Sequence, residues 1–181
     1  NGKWGFIDKT GKEKIKIKYD FVGGFKEGLA TVTINNKWGV IDKSGKEVIP
    51  LKYDYCGSLI EGNFDVTINN KWGVIDKSGK EVTQIKYDYI GNYGSSDFNF
   101  FVVKLNNKMS FFNKDKKEVI PFKYDYIRNI KDEIVVVELN GKQGLFDFEG
   151  KEIAPPKYDE IGITFLGGLL EVKIRGKKGY I

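Results

Sequence analysis

The sequence predicts an all-β fold made of tandem repeats of about 34 residues, each folded as an antiparallel meander. Two recurring phrases support this prediction. Variants of Asn-Asn-Lys-Trp-Gly-Val-Ile-Asp begin at residues 1, 35, 69, 106, 140 and 175. Lys-Tyr-Asp begins at residues 18, 52, 86, 123 and 157. A fixed period of this length indicates an array in which neighbouring copies share one continuous core.

The phrases divide the chain into five repeats and the start of a sixth, which we expect to form a single domain. The predicted boundaries are 1–34, 35–68, 69–105, 106–139 and 140–174, with a partial sixth repeat at 175–181. An open β-solenoid is preferred to a five-bladed propeller-like ring, because a repeat of this length is short for a four-stranded blade. The chain begins within the pattern, so we expect it to be a segment of a longer protein.

The second repeat shows how the sequence specifies each element. Leu29–Ile34 alternates in polarity and is rich in β-branched residues, which is typical of a strand. Asn35-Asn36 tolerates positive φ and predicts a two-residue hairpin turn, after which Trp38–Asp42 forms the return strand. Asp42-Lys43-Ser44-Gly45 predicts a second turn, in which the carboxylate accepts backbone N–H groups and the glycine adopts positive φ.

Two further extended segments complete the predicted meander of four short strands. Glu47–Pro50 is predicted to be a third strand that ends at Pro50, because proline has no N–H to donate to a ladder. Tyr53–Cys56 is predicted to be the fourth extended segment. No part of the repeat has helical periodicity with capping residues.

Alternation assigns the faces of the return strand. One position is apolar in every copy and is therefore expected in the core, namely Ile7, Ile41, Ile75, Phe112, Phe146 and Ile181. Two residues earlier a glycine, Gly39 in the second repeat, leaves a gap that we expect the ring of Tyr53 to fill. Asp54, which follows Tyr53, is expected to cap a turn or to accept backbone hydrogen bonds.

The run Lys-Trp-Gly-Val-Ile-Asp-Lys-Ser-Gly-Lys-Glu-Val-Ile-Pro at 37–50, followed by Lys-Tyr-Asp, resembles the WG (KWG) repeat family of bacteria. The resemblance covers the whole chain and implies an all-β tandem array, often in surface-associated proteins, without catalytic residues. It leads us to expect a non-catalytic binding module of a larger bacterial surface or envelope protein, with no cofactor.

Composition narrows the possible functions. The chain has no His, which excludes His-dependent catalytic triads and His-based metal sites. Cys56 occupies a position that is apolar in the other copies, so we expect a core residue rather than a nucleophile. Each Asp-Lys-Ser-Gly turn offers one carboxylate, fewer than a calcium loop needs. The net charge of +5 is small for a nucleic-acid binder, and no apolar run approaches the roughly 20 residues that span a bilayer.

Two surfaces are candidate binding sites for a protein partner or a cell-surface polymer. The first is the set of variable loops after Lys-Tyr-Asp, of which the longest contains Tyr93 and Phe98 among small polar residues. The alternative is glycan or cell-wall binding by a row of partly exposed rings, Trp4, Trp38 and Trp72. Because the same slot later holds Met109, Gln143 and Lys178, we expect its exposure to rise toward the C-terminus.

Overall fold

The computed structural model describes residues 2–91, 100–113, 115–129 and 134–181. Within these ranges the chain forms 21 β-strands and no helix, which confirms the predicted all-β repeat architecture. The chain divides into two compact units, Asn1–Tyr87 and Asp88–Ile181. The choice between an open solenoid and a ring stays a prediction. The described part of the chain contains no helix with the length and apolarity that crossing a membrane requires.

The first unit contains ten strands in three antiparallel sheets, ordered β1-β2, β3-β4-β5-β6 and β7-β8-β9-β10. Each four-stranded sheet is a meander of consecutive strands, as predicted. The strands are β1 (Trp4–Ile7), β2 (Glu13–Tyr19), β3 (Phe21–Val22), β4 (Leu29–Ile34), β5 (Lys37–Asp42), β6 (Glu47–Tyr53), β7 (Tyr55–Cys56), β8 (Asn63–Ile68), β9 (Lys71–Asp76) and β10 (Glu81–Tyr87).

The second unit repeats this arrangement. Two sheets are four-stranded, β11-β12-β13-β14 and β15-β16-β17-β18, and the last has three strands in the order β19-β20-β21. The strands are β11 (Tyr89–Gly91), β12 (Phe101–Leu105), β13 (Lys108–Phe112), β14 (Glu118–Tyr124), β15 (Tyr126–Asn129), β16 (Ile134–Leu139), β17 (Lys142–Asp147), β18 (Glu152–Tyr158), β19 (Glu160–Leu166), β20 (Leu169–Ile174) and β21 (Lys177–Tyr180).

Both predicted turns are present. Asn35 and Asn36 have φ values of 50° and 59°, as a type I′ hairpin turn between β4 and β5 requires. In the second turn Gly45 has a φ of 83°, and Oδ1 of Asp42 accepts the N–H of Ser44 at 2.8 Å and that of Lys46 at 3.1 Å. These local hydrogen bonds fix the entry to β6.

The predicted end of the third strand at Pro50 is wrong, because β6 continues through it to Tyr53. Two features allow a proline there. The strand lies at the edge of its sheet, and the ladder shifts register between the pairs Val40–Ile49 and Trp38–Tyr53. Pro50 lies within this bulge, so its missing N–H interrupts no regular ladder bond.

The return strand is buried on both faces where sheets stack. Val40, Ile41 and Gly39 are all buried, and Ile41 has no exposed surface, which confirms its predicted core position. Ile7 is instead 65% exposed and Ile181 is also exposed. Ile7 belongs to a two-stranded sheet and Ile181 follows the edge strand β21, so neither has a four-stranded sheet around it.

The gap over Gly39 is not filled by the ring of Tyr53, so this expectation was wrong. A Cβ at Gly39 would lie 2.7 Å from the carbonyl oxygen of Ile49 and 2.9 Å from the backbone nitrogen of Leu51. The bulged backbone of β6 therefore occupies the gap. Tyr53 is buried elsewhere in the core, where it belongs to a cluster with Val40 and Ile49.

Candidate functional site

The position occupied by Trp4, Trp38, Trp72, Met109, Gln143 and Lys178, here called the Trp slot, becomes more exposed toward the C-terminus over its last three occupants, as expected, but not over the whole chain. Trp4 is 57% exposed, whereas Trp38 and Trp72 are half-buried. The later occupants Met109, Gln143 and Lys178 are buried, half-buried and exposed, respectively. Exposure is thus lowest at Met109 and rises from there to Lys178.

The two half-buried tryptophans belong to a continuous row of four rings in the first unit. Ring centroids lie 5.3 Å apart for Phe21 and Trp38, 5.8 Å for Trp38 and Tyr55, and 5.7 Å for Tyr55 and Trp72. Adjacent rings are inclined to each other by 49° to 58°. We call Phe21, Trp38, Tyr55 and Trp72 the aromatic ladder.

Strand register builds the ladder. In the sheet of β3 to β6, Phe21 and Trp38 both pair with Thr33, which places the two rings on the same face of the sheet. In the next sheet Thr67 pairs in the same way with Tyr55 and Trp72. The contact between Trp38 and Tyr55 then links one sheet to the next.

The most exposed ladder rings are ones that the sequence analysis did not select. Phe21 is 45% exposed and Tyr55 is 40% exposed, more than the half-buried Trp38, which packs against the core. Both residues directly follow Lys-Tyr-Asp. The residue at this position is aromatic in four of the five copies, which have Phe21, Tyr55, Tyr89, Tyr126 and Glu160. That recurrence was the signal that could have identified them.

A row of charged clips accompanies the ladder. Lys37 Nζ lies 2.6 Å from Oδ1 of Asp54, and Oδ2 of Asp54 accepts the backbone N–H of Asn69 at 2.6 Å. One carboxylate thereby joins the hairpin of its own repeat to the hairpin of the next, which confirms the expected backbone acceptor. Equivalent clips are formed by Lys3, Asp20 and Asn35, by Lys108, Asp125 and Asn140, and by Lys142, Asp159 and Arg175.

The clips hold their carboxylates in the charged form. The hydrogen bond from Lys37, followed by the one from the Asn69 N–H, keeps the pKa of Asp54 below its ordinary value. The same causes lower the pKa of Asp20, Asp125 and Asp159. Lys37 and Asp54 directly precede the ladder residues Trp38 and Tyr55 in sequence, so the charges that adjoin the ladder along the chain are paired with the opposite sign.

In the second unit, the positions equivalent to those of the ladder hold different types of side chain. Tyr126 is 41% exposed, but the equivalent Trp slots hold Met109 and Gln143. Oε1 of Gln143 accepts the backbone N–H of Ile161 at 2.8 Å, which compensates a polar group in this half-buried slot. In the last sheet Lys173 pairs with Glu160 at 2.8 Å. Aromatic stacking gives way to hydrogen bonds and ion pairs.

Other candidate residues give no second site. Tyr93 and Phe98, selected from the longest variable loop, lie outside the described residues. Cys56 is buried as expected, and burial, followed by the nearby carboxyl of Asp65, raises its pKa to about 12. Within the described ranges no group of His, Cys, Asp and Glu side chains is arranged to hold a metal ion.

Comparison with protein families gives one result that covers almost the whole chain. The model of the WG containing repeat matches five successive stretches, at residues 4–38, 38–72, 72–108, 109–142 and 144–177. Each stretch begins at or next to a Trp slot and ends near the following one. A comparison with curated proteins gives no match.

Three of the solved structures that resemble this chain are distantly similar to it. A eukaryotic initiation factor is 13% identical over 92% of this chain and 54% of its own, with a TM-score of 0.44. The extracellular domain of a one-component system from B. thetaiotaomicron is 12% identical over 96% and 29%, with a TM-score of 0.35. PorZ of Porphyromonas gingivalis, a bacterial surface component of the type-IX secretion system, is 12% identical over 83% and 24%, with a TM-score of 0.40. This chain spans about half of the first of these proteins and less of the other two.

Proposed function

The chain belongs to the WG containing repeat family, and we propose that it is a non-catalytic binding module whose aromatic ladder contacts the ligand. The observation that carries the proposal is the ladder itself. Four rings, one each from β3, β5, β7 and β9, form one row, and two of them, Phe21 and Tyr55, expose close to half of their surface.

Such a row is suited to binding on energetic grounds. Partly exposed aromatic rings offer a large apolar area that a ligand can cover. The ladder rings are already held by mutual contacts and by cross-strand pairing with Thr33 and Thr67, so little side-chain freedom is lost when a ligand binds. Four rings in a row suit an elongated ligand better than a compact one.

The non-catalytic part of the proposal rests on the way the acidic groups are used. Acid–base catalysis needs a carboxyl group or His that is available to the substrate. The sequence has no His, and the clip carboxylates, such as Asp54, are already bonded to a lysine and to a backbone N–H. The turn carboxylate of Asp42 is likewise engaged by Ser44 and Lys46.

Protein recognition is proposed ahead of glycan recognition. Adjacent ladder rings are inclined by about 50° or more, so they form ridges and furrows rather than a flat strip on which sugar rings could lie. Recognition through the variable loops remains part of the proposal, as does a place in a bacterial surface or envelope protein, which rests on the family resemblance.

A two-panel experiment tests the proposed function. Immobilised glycans and immobilised peptides are probed with the wild-type chain and with Tyr55→Ser, after melting curves show that the two are equally folded. We expect ligands that retain the wild type and lose Tyr55→Ser. Equal retention of both chains by every ligand would place the binding surface elsewhere, and no retention in either panel would contradict the binding function.

A further inference from the structure

The spacing, inclination and charge of the ladder point to one class of ligand. We infer that the aromatic ladder binds a proline-rich peptide in the polyproline II conformation. This inference rests on the proposed binding function and specifies the ligand for the same site.

Spacing is the first observation. The steps from Phe21 to Trp38 and from Trp38 to Tyr55 are 5.3 and 5.8 Å. These two steps limit the distance between Phe21 and Tyr55, the exposed rings of neighbouring repeats, to about 11 Å. One turn of a polyproline II helix advances about 9 Å, which lies within that limit. A peptide in this conformation can present one face to successive repeats without bending.

The inclination of the rings is the second observation. Trp38 and Tyr55 meet at 55°, and Tyr55 and Trp72 at 58°. The furrows between inclined rings accept compact apolar groups, and the pyrrolidine ring of proline is such a group. Aromatic-lined grooves are also how proline-rich segments are recognised in general, because the peptide is already extended and loses little entropy on binding.

The charge pattern is the third observation. Lys37 and Asp54, which directly precede Trp38 and Tyr55 in sequence, pair with each other at 2.6 Å, so neither charge requires a counter-ion from the ligand. A lysine ammonium has three donors, and the bond to Asp54 uses one. A polyproline II backbone makes no internal hydrogen bonds, so its carbonyl groups can accept the remaining donors of Lys37, whose side chain is 50% exposed. An uncharged peptide rich in free carbonyls complements this surface.

The test uses a synthetic proline-rich peptide of about nine residues, which spans three polyproline II turns. A glycine–serine peptide of equal length is the flexible control, and soluble oligosaccharides from bacterial cell wall are the third probe. Binding is followed by tryptophan fluorescence, since Trp4, Trp38 and Trp72 all lie in the first unit. We expect saturable binding of the proline-rich peptide only.

Matched variants locate the site. Tyr55→Ser and Phe21→Ser remove exposed ladder rings and are expected to weaken binding about tenfold, as loss of a contact residue does. Tyr126→Ser removes a ring of the same exposure at the same repeat position, but one whose neighbouring slots lack tryptophan, and is expected to leave affinity unchanged.

The outcomes separate the two levels of the proposal. Equal binding of the two peptides, or binding of the oligosaccharides alone, overturns the polyproline II inference. The proposed binding function still stands in either case if Tyr55→Ser weakens the binding that is observed. Proline-rich peptide binding that Tyr126→Ser weakens as much as Tyr55→Ser does overturns the assignment to the ladder. A wild-type chain that binds none of the probes overturns the inference, and the glycan and peptide panels then decide the binding function separately.

Discussion

Replacing Gly39 by alanine tests the packing of the repeat directly, because the space available for the new methyl group is known. A Cβ at this position would lie 2.7 Å from the carbonyl oxygen of Ile49, and 2.9 and 3.0 Å from the backbone nitrogen and Cα of Leu51. All three contacts involve backbone atoms, which cannot swing aside as a flexible side chain can. The bulge of β6 must therefore move for Gly39→Ala to fold.

The magnitude follows from two opposing effects. Overpacking in a well-packed core costs about 1–3 kcal/mol. Because the φ of Gly39 is not positive, alanine also gains about 0.4–1 kcal/mol by restricting the unfolded chain. We expect a net loss of about 1–2 kcal/mol, measured as a lower urea midpoint in circular dichroism and tryptophan fluorescence.

Gly179 provides the matched control, because it holds the same position in the last copy of the phrase. A Cβ there would meet no atom within 4 Å, so Gly179→Ala is expected to be neutral or slightly stabilising. If Gly39→Ala were neutral, or if the two variants lost equal stability, the close approach of β6 would not explain the glycine.

Three further predictions concern single residues. Ile41→Asp is expected to abolish cooperative unfolding of the first unit, because it buries an unpaired charge at a position with no exposed surface. An unchanged melting curve would contradict the assignment of Ile41 to the core. The difference in urea midpoint between wild type and Asp54→Asn is expected to shrink below pH 3.8, because the lowered pKa of Asp54 stabilises the fold above that value and the effect disappears as the carboxylate protonates. A difference that is independent of pH would show that the charge of Asp54 does not stabilise the fold. Cys56 is expected to react with iodoacetamide only after denaturation, because it is buried and its pKa is raised to about 12. Rapid alkylation of the native chain would refute its core position.

The features that sequence analysis predicted correctly depend on local interactions. The turn at Asn35-Asn36 and the positive φ of Gly45 follow from residues that tolerate this conformation wherever they occur. The acceptor role of Asp54 was predicted because an aspartate follows the tyrosine of Lys-Tyr-Asp in all five copies. Ile41 was assigned to the core because the same alternation recurs in every copy.

The features that were missed depend on which strand meets which. The gap over Gly39 is filled by the backbone of β6, and only the register shift between Trp38–Tyr53 and Val40–Ile49 determines this. Strand β6 continues through Pro50 because it lies at the edge of its sheet. The order of strands in the sheet could not be predicted from the sequence.

Phe21 and Tyr55 were missed as ladder residues for a similar reason. The residue after Lys-Tyr-Asp starts a new sheet, so Tyr55 lies beside Trp72 of its own sheet and Trp38 of the preceding one. In the sequence, Trp38 and Tyr55 belong to different repeated motifs, and nothing in the pattern indicates that their rings are in contact. Trp38 and Trp72 are half-buried because such neighbouring rings cover them, whereas Trp4 is 57% exposed.

The chain's three indole N–H groups allow the most direct measurement of ladder binding. In a proton–nitrogen correlation spectrum, Trp4, Trp38 and Trp72 each give one side-chain signal. Addition of the proline-rich peptide is expected to shift the signals of Trp38 and Trp72, which flank Tyr55 in the ladder. Backbone shifts confined to other parts of the chain, with all three indole signals unmoved at saturation, would contradict the assignment of the binding surface to the aromatic ladder.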